Sequence, residues 1–185
     1  LLKQENSSKV CLSCHDKAMK AGERSLLNIA EHLGQNPHHH GPIQKGECTP
    51  CHDPHGADRS SLLTKNFPQK FYSAFSPDAY GLCFDCHEAE VFETAEGGDT
   101  EFRNGDRNLH YLHVNKSFKG RTCRACHDPH ASKNDKHIRE QTPFGKWNIP
   151  LNYQPSENGG SCGPGCHQVY RYDRVAPVSN TSGAK

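Results

Sequence analysis

Apolar residues occur along this chain in short, widely separated groups, and one group shows a clear helical period. In the stretch "SLLNIAEHLG" at 25–34, apolar side chains recur at the spacing of one helix face. These side chains are Leu26, Leu27, Ala30 and Leu33. With Ser25 as N-cap and Gly34 as the stop, the pattern predicts a short helix.

The remaining segments show no sustained period. Residues 62–82 and 138–153 hold much of the aromatic content, including the single Trp, while 88–108 is rich in Gly and charged residues and predicts an exposed loop. The tail after Tyr172 has no core pattern, so we expect it on the surface or against a partner. No stretch approaches the ~20 apolar residues of a membrane-spanning helix.

The apolar content is too low for an ordinary core. Leu, Ile, Val and Phe make up 30 of 185 residues, or 16%. Disordered chains combine a low apolar content with a large net charge, but the net charge of this chain is only +1. The composition therefore indicates that something other than side chains fills the interior, and nothing in it suggests a nucleic-acid partner.

All ten cysteines fall into five clusters, and a histidine directly follows the last cysteine of each. The clusters are "CLSCH" (11–15), "CTPCH" (48–52), "CFDCH" (83–87), "CRACH" (123–127) and "CGPGCH" (162–167). Four have the Cys-x-x-Cys-His spacing that attaches c-type haem, because two thiols add to the two vinyl groups of one porphyrin. The adjacent imidazole then ligates iron. We therefore predict five haem c groups.

The predicted attachment and first axial residues follow directly from these clusters. The thioether residues are Cys11, Cys14, Cys48, Cys51, Cys83, Cys86, Cys123, Cys126, Cys162 and Cys166, and the first axial ligands are His15, His52, His87, His127 and His167. In the fifth cluster, three residues (Gly-Pro-Gly) separate the cysteines, and these residues favour a tight bulge. A disulfide between Cys162 and Cys166 is the alternative there.

Three other chemistries use paired cysteines. Zinc sites do not require a histidine next to every pair, and a disulfide framework gives no reason for the histidines. A thioredoxin-like redox motif would occur once, within a βαβ pattern that this sequence lacks. Five clusters with no cysteine left over favour haem attachment.

The clusters repeat at a regular interval. Clusters one and three, two and four, and three and five are 72, 75 and 79 residues apart. This predicts two copies of a two-haem unit, at 1–82 and 83–150, followed by a fifth-haem segment at 151–185, all forming one compact unit. We expect a mostly irregular fold with short α-helices, in which the haems form the core.

Nine histidines lie outside the clusters, and five are needed as second axial ligands. His55 and His130 each follow an Asp-Pro pair behind a cluster, in "CTPCHDPHG" and "CRACHDPHA". The proline turns the chain away, so we expect each of these histidines to reach an adjacent haem. A plain surface turn is the alternative.

The other second ligands are assigned by their position in the repeat. His40 and His113 each precede the approach to a Cys-x-x-Cys-His cluster, although His38 or His39 can substitute for His40. His137 is the first choice for the fifth ligand. The alternatives are His110 and His32.

The motif "HGPIQKGECTPCHDPHG" resembles the doubled-CXXCH multihaem cytochromes c, and "GGSCGPGCH" resembles the longer terminal cluster of some members. The resemblance implies bis-histidine, low-spin haems close enough for electron hopping. Members of this group include periplasmic electron carriers and extracellular cytochromes of metal-reducing bacteria and archaea, some of which polymerise into conductive filaments.

These observations predict an electron carrier rather than an enzyme. A multihaem reductase needs one iron with an open position, whereas every cluster here ends in histidine and spare histidines exceed the haems. Covalent haem attachment takes place outside the cytoplasm, and the start "LLKQENSS" is compatible with a cleaved precursor. We expect an extracellular filament subunit with head-to-tail contacts between copies. A periplasmic shuttle to other cytochromes or to a reductase is the alternative.

Overall fold

The computed structural model describes residues 7–97 and 99–180. Within these residues the chain forms short elements separated by turns and coil. The α-helices are α1 (Ser7–Leu12), α2 (Ile29–Gln35), α3 (Gly41–Gln44), α4 (Gly81–Phe84) and α5 (Leu109–Val114). Short 3-10 helices lie at Ser60–Leu62, Asp78–Tyr80, Ala89–Phe92, Cys123–Ala125 and Asp135–His137.

The strands are two to four residues long. They are β1 (Met19–Ala21), β2 (Arg24–Leu26), β3 (His38–His39), β4 (Tyr72–Ser73), β5 (Arg103–Asn104), β6 (Arg107–Asn108), β7 (Gly120–Arg121), β8 (Ala131–Ser132), β9 (Gln141–Phe144), β10 (Trp147–Pro150), β11 (Gln154–Ser156), β12 (Gly159–Cys162) and β13 (Tyr170–Asp173). The sequence did not predict these strands, because most are shorter than the four residues that an alternating pattern needs to be recognised.

Three of the hairpins turn on a glycine. Gly22 between β1 and β2, Gly105 between β5 and β6, and Gly145 between β9 and β10 have φ of 62°, 58° and 61°. A two-residue hairpin loop needs positive φ at its first position, which glycine adopts at no steric cost. The segment 88–108, which we expected to be an exposed loop, instead contains the Ala89–Phe92 helix and the β5–β6 hairpin, and Asn108 is buried.

The chain divides into two compact units, residues 1–65 with 127–139 and residues 66–126 with 140–185. In the first unit, β3 pairs with β8 so that His38 lies opposite Ser132 and His39 opposite Ala131. The boundaries of the compact units do not coincide with those of the sequence repeat. The division into two two-haem units and a fifth-haem segment therefore stays a prediction from the sequence.

Helix α2 begins later than its sequence pattern suggested. Asn28 caps it by accepting a hydrogen bond from the backbone N–H of Glu31, at 3.1 Å. Ser25, the predicted N-cap, lies in β2, and Gly34, the predicted stop, lies inside the helix. Asn is as good an N-cap as Ser, and the β1–β2 hairpin takes up the residues before it.

In the second unit, β11, β12 and β13 form an antiparallel sheet, β4 pairs with β7, and Asn108 caps α5 by accepting from the N–H of Tyr111 at 3.0 Å. The tail also joins this unit, because the side chain of Asn104 accepts from the N–H of Val178 at 2.8 Å and donates to its carbonyl at 2.9 Å. This part of the tail is therefore held by its own chain.

Few apolar side chains are buried. Among the described residues they are Leu63, Tyr80, Val114, Ala125, Ala131 and Leu151. This small set agrees with the low apolar content of the sequence. No helix in the described ranges is long and apolar enough to cross a membrane.

Candidate functional site

The backbone of three clusters closes into a single helical turn. The N–H of His15, His52 and His87 donates to the carbonyl of the first cysteine of its own cluster, at 3.0 Å in each case. Residues at positions i, i+3 and i+4 of such a turn face the same side. Both thiols and the imidazole of a cluster are therefore presented together, as attachment of one planar group requires.

The fourth and fifth clusters use shorter turns. In the fourth, the N–H of Cys126 donates to the carbonyl of Cys123 at 3.2 Å. In the fifth, the N–H of His167 donates to the carbonyl of Pro164 at 3.2 Å. This turn begins at Pro164, so Cys162 and Gly163 lie before it. Cys162 and Cys166 are both free thiols, so the disulfide alternative is not formed.

All ten cysteines are free thiols, and Cys14, Cys86 and Cys166 are exposed. The described residues contain no group of three or more His, Cys, Asp or Glu side chains that could hold a metal ion. No cysteine forms a disulfide, so none of the ten is excluded from a thioether bond on that ground.

The first cysteines of neighbouring clusters lie beside each other. In the first unit, burial raises the pKa of Cys48 to about 11, and Cys11 contributes through its charge and a hydrogen bond. In the second unit, the thiol of Cys123 donates to Cys83, which lowers the pKa of Cys83 and raises that of Cys123. The attachment positions of clusters one and two, and of clusters three and four, are therefore adjacent.

Several cluster histidines have one ring nitrogen fixed by a backbone carbonyl. Nδ1 of His52 lies 2.8 Å from the carbonyl oxygen of Ser61, and Nδ1 of His127 lies 2.7 Å from that of Lys136. Nδ1 of His167 is 2.6 Å from the carbonyl of Gln168. A carbonyl accepts only from a protonated nitrogen, so Nε2 is left with its lone pair for a metal.

One pair of histidines has parallel rings at a spacing that two ligands of one iron would also have. The rings of His52 and His130 have centroids 6.2 Å apart and planes only 9° from parallel. Two imidazoles on opposite sides of a metal, each about 2.0 Å from it, have centroids about 6.3 Å apart. The observed spacing is close to that value, so His52 and His130 would be the residues to hold an iron if haem is attached at this cluster.

The second histidine of the other Asp-Pro-His motif is placed differently. His55 is exposed, and its backbone N–H donates to Asp53 at 3.0 Å. The two motifs have the same sequence but do not present their last histidine in the same environment. Whether His55 ligates an iron stays a prediction.

His38, His39, His40 and His137 lie in the first unit. The rings of His40 and His137 meet edge to face with centroids 5.5 Å apart, and Nδ1 of His137 lies 3.2 Å from the carbonyl of His38. Nδ1 of His38 is 3.1 Å from Asp135, and Nε2 of His39 is 2.9 Å from the carbonyl of Leu33. His40 and His137 therefore stay candidates for second ligands.

The second unit holds two histidines outside the clusters, both on α5. Nδ1 of His110 is 2.7 Å from Oγ1 of Thr100, and Nδ1 of His113 is 2.7 Å from the carbonyl of Leu109. Burial lowers the pKa of His113, and nearby positive charges, including that of His167, add to this effect. Each of these histidines thus has its Nδ1 held by a neighbouring oxygen.

His110 lies on α5 together with His113, whereas the sequence pattern places it only among the alternatives for the fifth ligand. The spacing of three residues on one helix, seen in "LHYLH", was the available signal. The repeat argument equated His113 with His40, but His113 lies inside α5 whereas His40 precedes α3 as its N-cap. In the first unit, α2 is similar to α5 because both helices have an Asn N-cap. Helix α2 carries His32.

The donor set fits haem c. Paired free thiols beside an imidazole with its Nδ1 held are the residues that covalent haem attachment requires, and the gap between His52 and His130 fits an iron with two histidine ligands. The CXXCH motifs indicate covalently bound c-type haem.

Comparison with known families agrees with this class of protein. The family described as "Doubled CXXCH motif" matches residues 40–92 and 115–144, slightly less than half of the chain. The matched residues include clusters two, three and four, whereas clusters one and five lie outside them. The match supports a multihaem c-type cytochrome that acts in haem-based electron transfer. Searches of curated proteins and of solved structures found no match.

Proposed function

We propose that this protein conducts electrons through five covalently attached c-type haems and catalyses no reaction of its own. The adjacent cysteine pairs carry the proposal. Cys11 lies beside Cys48 and Cys83 lies beside Cys123. The attachment positions of clusters one and two are therefore adjacent in space, as are those of clusters three and four. Each haem supplies one one-electron redox centre when bound.

The chain's own residues supply attachment, orientation and shielding. Ten thiols form the covalent bonds, and backbone carbonyls hold the rings of His52, His127 and His167 by Nδ1. Aromatic rings of the second unit provide an apolar environment, since Phe92 and Phe102 have centroids 5.1 and 5.2 Å from the ring of His110. Two histidine ligands without methionine favour negative reduction potentials.

The competing function is a multihaem reductase of small oxyanions, which needs an iron with one open position. All five clusters end in histidine, and nine further histidines lie outside the clusters, more than the five that second ligands require. These residues favour six-coordinate irons throughout.

The first test combines a haem count with spin-state spectroscopy. We expect the purified chain to carry five haems by pyridine haemochrome assay and intact mass, with all ferric irons low-spin. Four haems, with "CGPGCH" unmodified in the peptide map, would show that the fifth cluster does not attach haem. A high-spin ferric signal in the native protein would favour the reductase instead.

We further propose that the chain is a subunit of an extracellular filament that contacts copies of itself head to tail. Large apolar side chains of the second unit are exposed and offer area for such a contact: Phe118 at 75%, Trp147 at 73%, Val169 at 61% and Val175 at 75%. The tail, which we expected on the surface or against a partner, falls partly outside the described residues. Within the described part, Val178 is bonded to Asn104 of its own chain.

Negative-stain microscopy and sedimentation of the purified holoprotein distinguish the filament from the periplasmic shuttle. We expect filaments that lengthen with concentration. Trp147→Ser and Phe118→Ser should shorten them while leaving the haem count unchanged. Particles that stay at the mass of one ~20 kDa domain at high concentration would leave the shuttle, which donates to other cytochromes or to a reductase.

A further inference from the structure

We propose that Asp128 is a positioning residue that fixes His130 as the second axial ligand opposite His52. The inference rests on the proposed function, because it concerns the haem attached at Cys48 and Cys51. It assigns a ligand across the sequence repeat, since His130 follows the fourth cluster whereas His52 belongs to the second.

Asp128 is a buried carboxylate with defined partners. Its side chain is 11% exposed, and Oδ2 lies 3.0 Å from Nη1 of Arg139. Nε of Arg139 in turn donates to the carbonyl of His127 at 2.9 Å. The guanidinium thus fixes the carboxylate relative to the fourth cluster. A charge-assisted pair of this kind is stronger than a neutral hydrogen bond.

Oδ1 of the same carboxylate lies near both the backbone and the ring of His130. Oδ1 accepts the backbone N–H of His130 at 3.1 Å, which closes the Asp-Pro-His turn. Oδ1 is also 3.9 Å from Nδ1 of the same ring. At this distance, in a mostly buried setting, the negative charge attracts a protonated Nδ1. The proton is therefore favoured on Nδ1, and the lone pair on Nε2 is left for iron.

His32 completes the surroundings of this carboxylate. Its Nε2 is 3.5 Å from Oδ2 of Asp128, and its ring centroid is 6.5 Å from that of His130 at an angle of 85°. His32 therefore stands edge-on to His130, whereas the plane of the His52 ring is parallel to that of His130 within 9°. Of the two neighbouring rings, only His52 belongs to a Cys-x-x-Cys-His cluster, so only His52 would pair with His130 as the two histidines of one haem.

The first copy of the motif supplies a matched control. Asp53 makes the same turn bond, from the N–H of His55 to Oδ1 at 3.0 Å. The residue that corresponds to Arg139 is Thr64, 75 positions earlier, so the first copy has no cation at that place. A change at Asp53 therefore removes a turn carboxylate that bonds the backbone of His55 rather than that of His130.

The test compares Asp128→Asn with Asp53→Asn in the full holoprotein. Asn retains the shape and the turn bond but removes the charge. Asp128→Asn should alter about one-fifth of the low-spin ferric EPR signal, because the angle between the two imidazole planes sets the shape of that signal. It should also raise the reduction potential of one haem, because a nearby negative charge that favours the ferric state is lost. Asp53→Asn should change neither.

Two further variants keep the test decisive if Asp128→Asn accumulates poorly. Arg139→Gln should reproduce the EPR change, whereas Arg139→Lys, which retains the cation, should stay closer to the wild type. Equal effects of the two aspartate variants would overturn the proposal. So would a loss of thermal stability in Asp128→Asn with unchanged EPR signal and potentials.

The haem content separates this inference from the proposed function. If peptide mapping shows no haem on Cys48 and Cys51, the proposed function fails at that cluster and the inference fails with it. If haem is present there and Asp128→Asn leaves the EPR signal unchanged, the inference alone is wrong.

Discussion

The two Asp-Pro-His segments, residues 48–63 and 123–138, share a backbone but differ in the surroundings of their last histidine. In both, Nδ1 of the cluster histidine bonds to the carbonyl nine residues later, at 2.8 Å in the first and 2.7 Å in the second. In both, the aspartate N–H donates to a carbonyl nine residues later, at 2.8 Å. Short-range sequence is thus sufficient to specify this loop.

The loop also has the same unusual backbone in both copies. Ser61 and Leu62 have φ of 61° and 55°, and Lys136 and His137 have φ of 56° and 57°. Four non-glycine residues in the left-handed region are rare, and each costs about 1–2 kcal/mol. The first strained residue of each copy, Ser61 or Lys136, supplies the carbonyl that bonds to Nδ1 of the cluster histidine. The strained turn therefore helps to hold the ring of that histidine.

The side chains around the loop then separate the two copies. Arg139 stands where the first copy has Thr64, and it holds Asp128 next to His130. His130 faces His52 at 6.2 Å, whereas His55 is exposed. The two identical Asp-Pro-His motifs therefore have their final histidines in different surroundings, because packing, rather than the motif, decides what that histidine meets.

The largest expected effect comes from the histidines themselves. His130→Gly should convert about one haem in five from low-spin to high-spin, because one iron loses an axial ligand. Added imidazole should restore the low-spin spectrum. His55→Gly should give a smaller high-spin fraction in the isolated chain, because His55 is exposed. Absorption and EPR spectra measure this. Equal high-spin fractions would show that both motifs supply a ligand within one chain.

A second prediction exchanges the residues that distinguish the copies. Arg139→Thr should destabilise the protein by about 2–4 kcal/mol, because it leaves the buried carboxylate of Asp128 without its cation. Thr64→Arg should cost at most about 1 kcal/mol, since the Thr64 hydroxyl loses one hydrogen bond shared between the carbonyls of Pro50 at 3.2 Å and Cys51 at 3.4 Å. Denaturant unfolding of the two holoproteins gives both values. Similar losses of unfolding free energy would mean that the Asp128–Arg139 pair stabilises the second copy no more than Thr64 stabilises the first.

The smallest effect concerns the shared loop. Lys136→Gly and Ser61→Gly should each stabilise by at most about 1 kcal/mol, since glycine relieves the left-handed strain but gains entropy in the unfolded chain. The backbone gain should be the same in both, but Ser61→Gly should gain less overall, because it also removes the hydrogen bond that Arg24 donates to the Ser61 hydroxyl at 2.8 Å. Thermal unfolding of both variants checks this, and a larger gain for Ser61→Gly than for Lys136→Gly would show that the loops differ in energy despite similar φ values.

The candidate site was largely readable from the sequence. Cluster spacing identified the ten thiols and five adjacent histidines, because attachment chemistry fixes that spacing locally. The fold was less readable. The strands are too short to show a period, α2 begins at Ile29 after Asn28 rather than at the predicted cap Ser25, and 88–108 contains a hairpin that its polar composition concealed.

The sequence by itself therefore determined the local chemistry of this protein: five cysteine clusters, the repeat, the Asp-Pro-His turns and too few apolar residues for a side-chain core. Only the tertiary structure decided that His130 faces His52 and that Arg139 holds Asp128 beside it. The reason is physical. Turn and cluster geometry depend on neighbours within about ten residues, whereas the partner of a ligand is set by contacts between segments far apart in the chain.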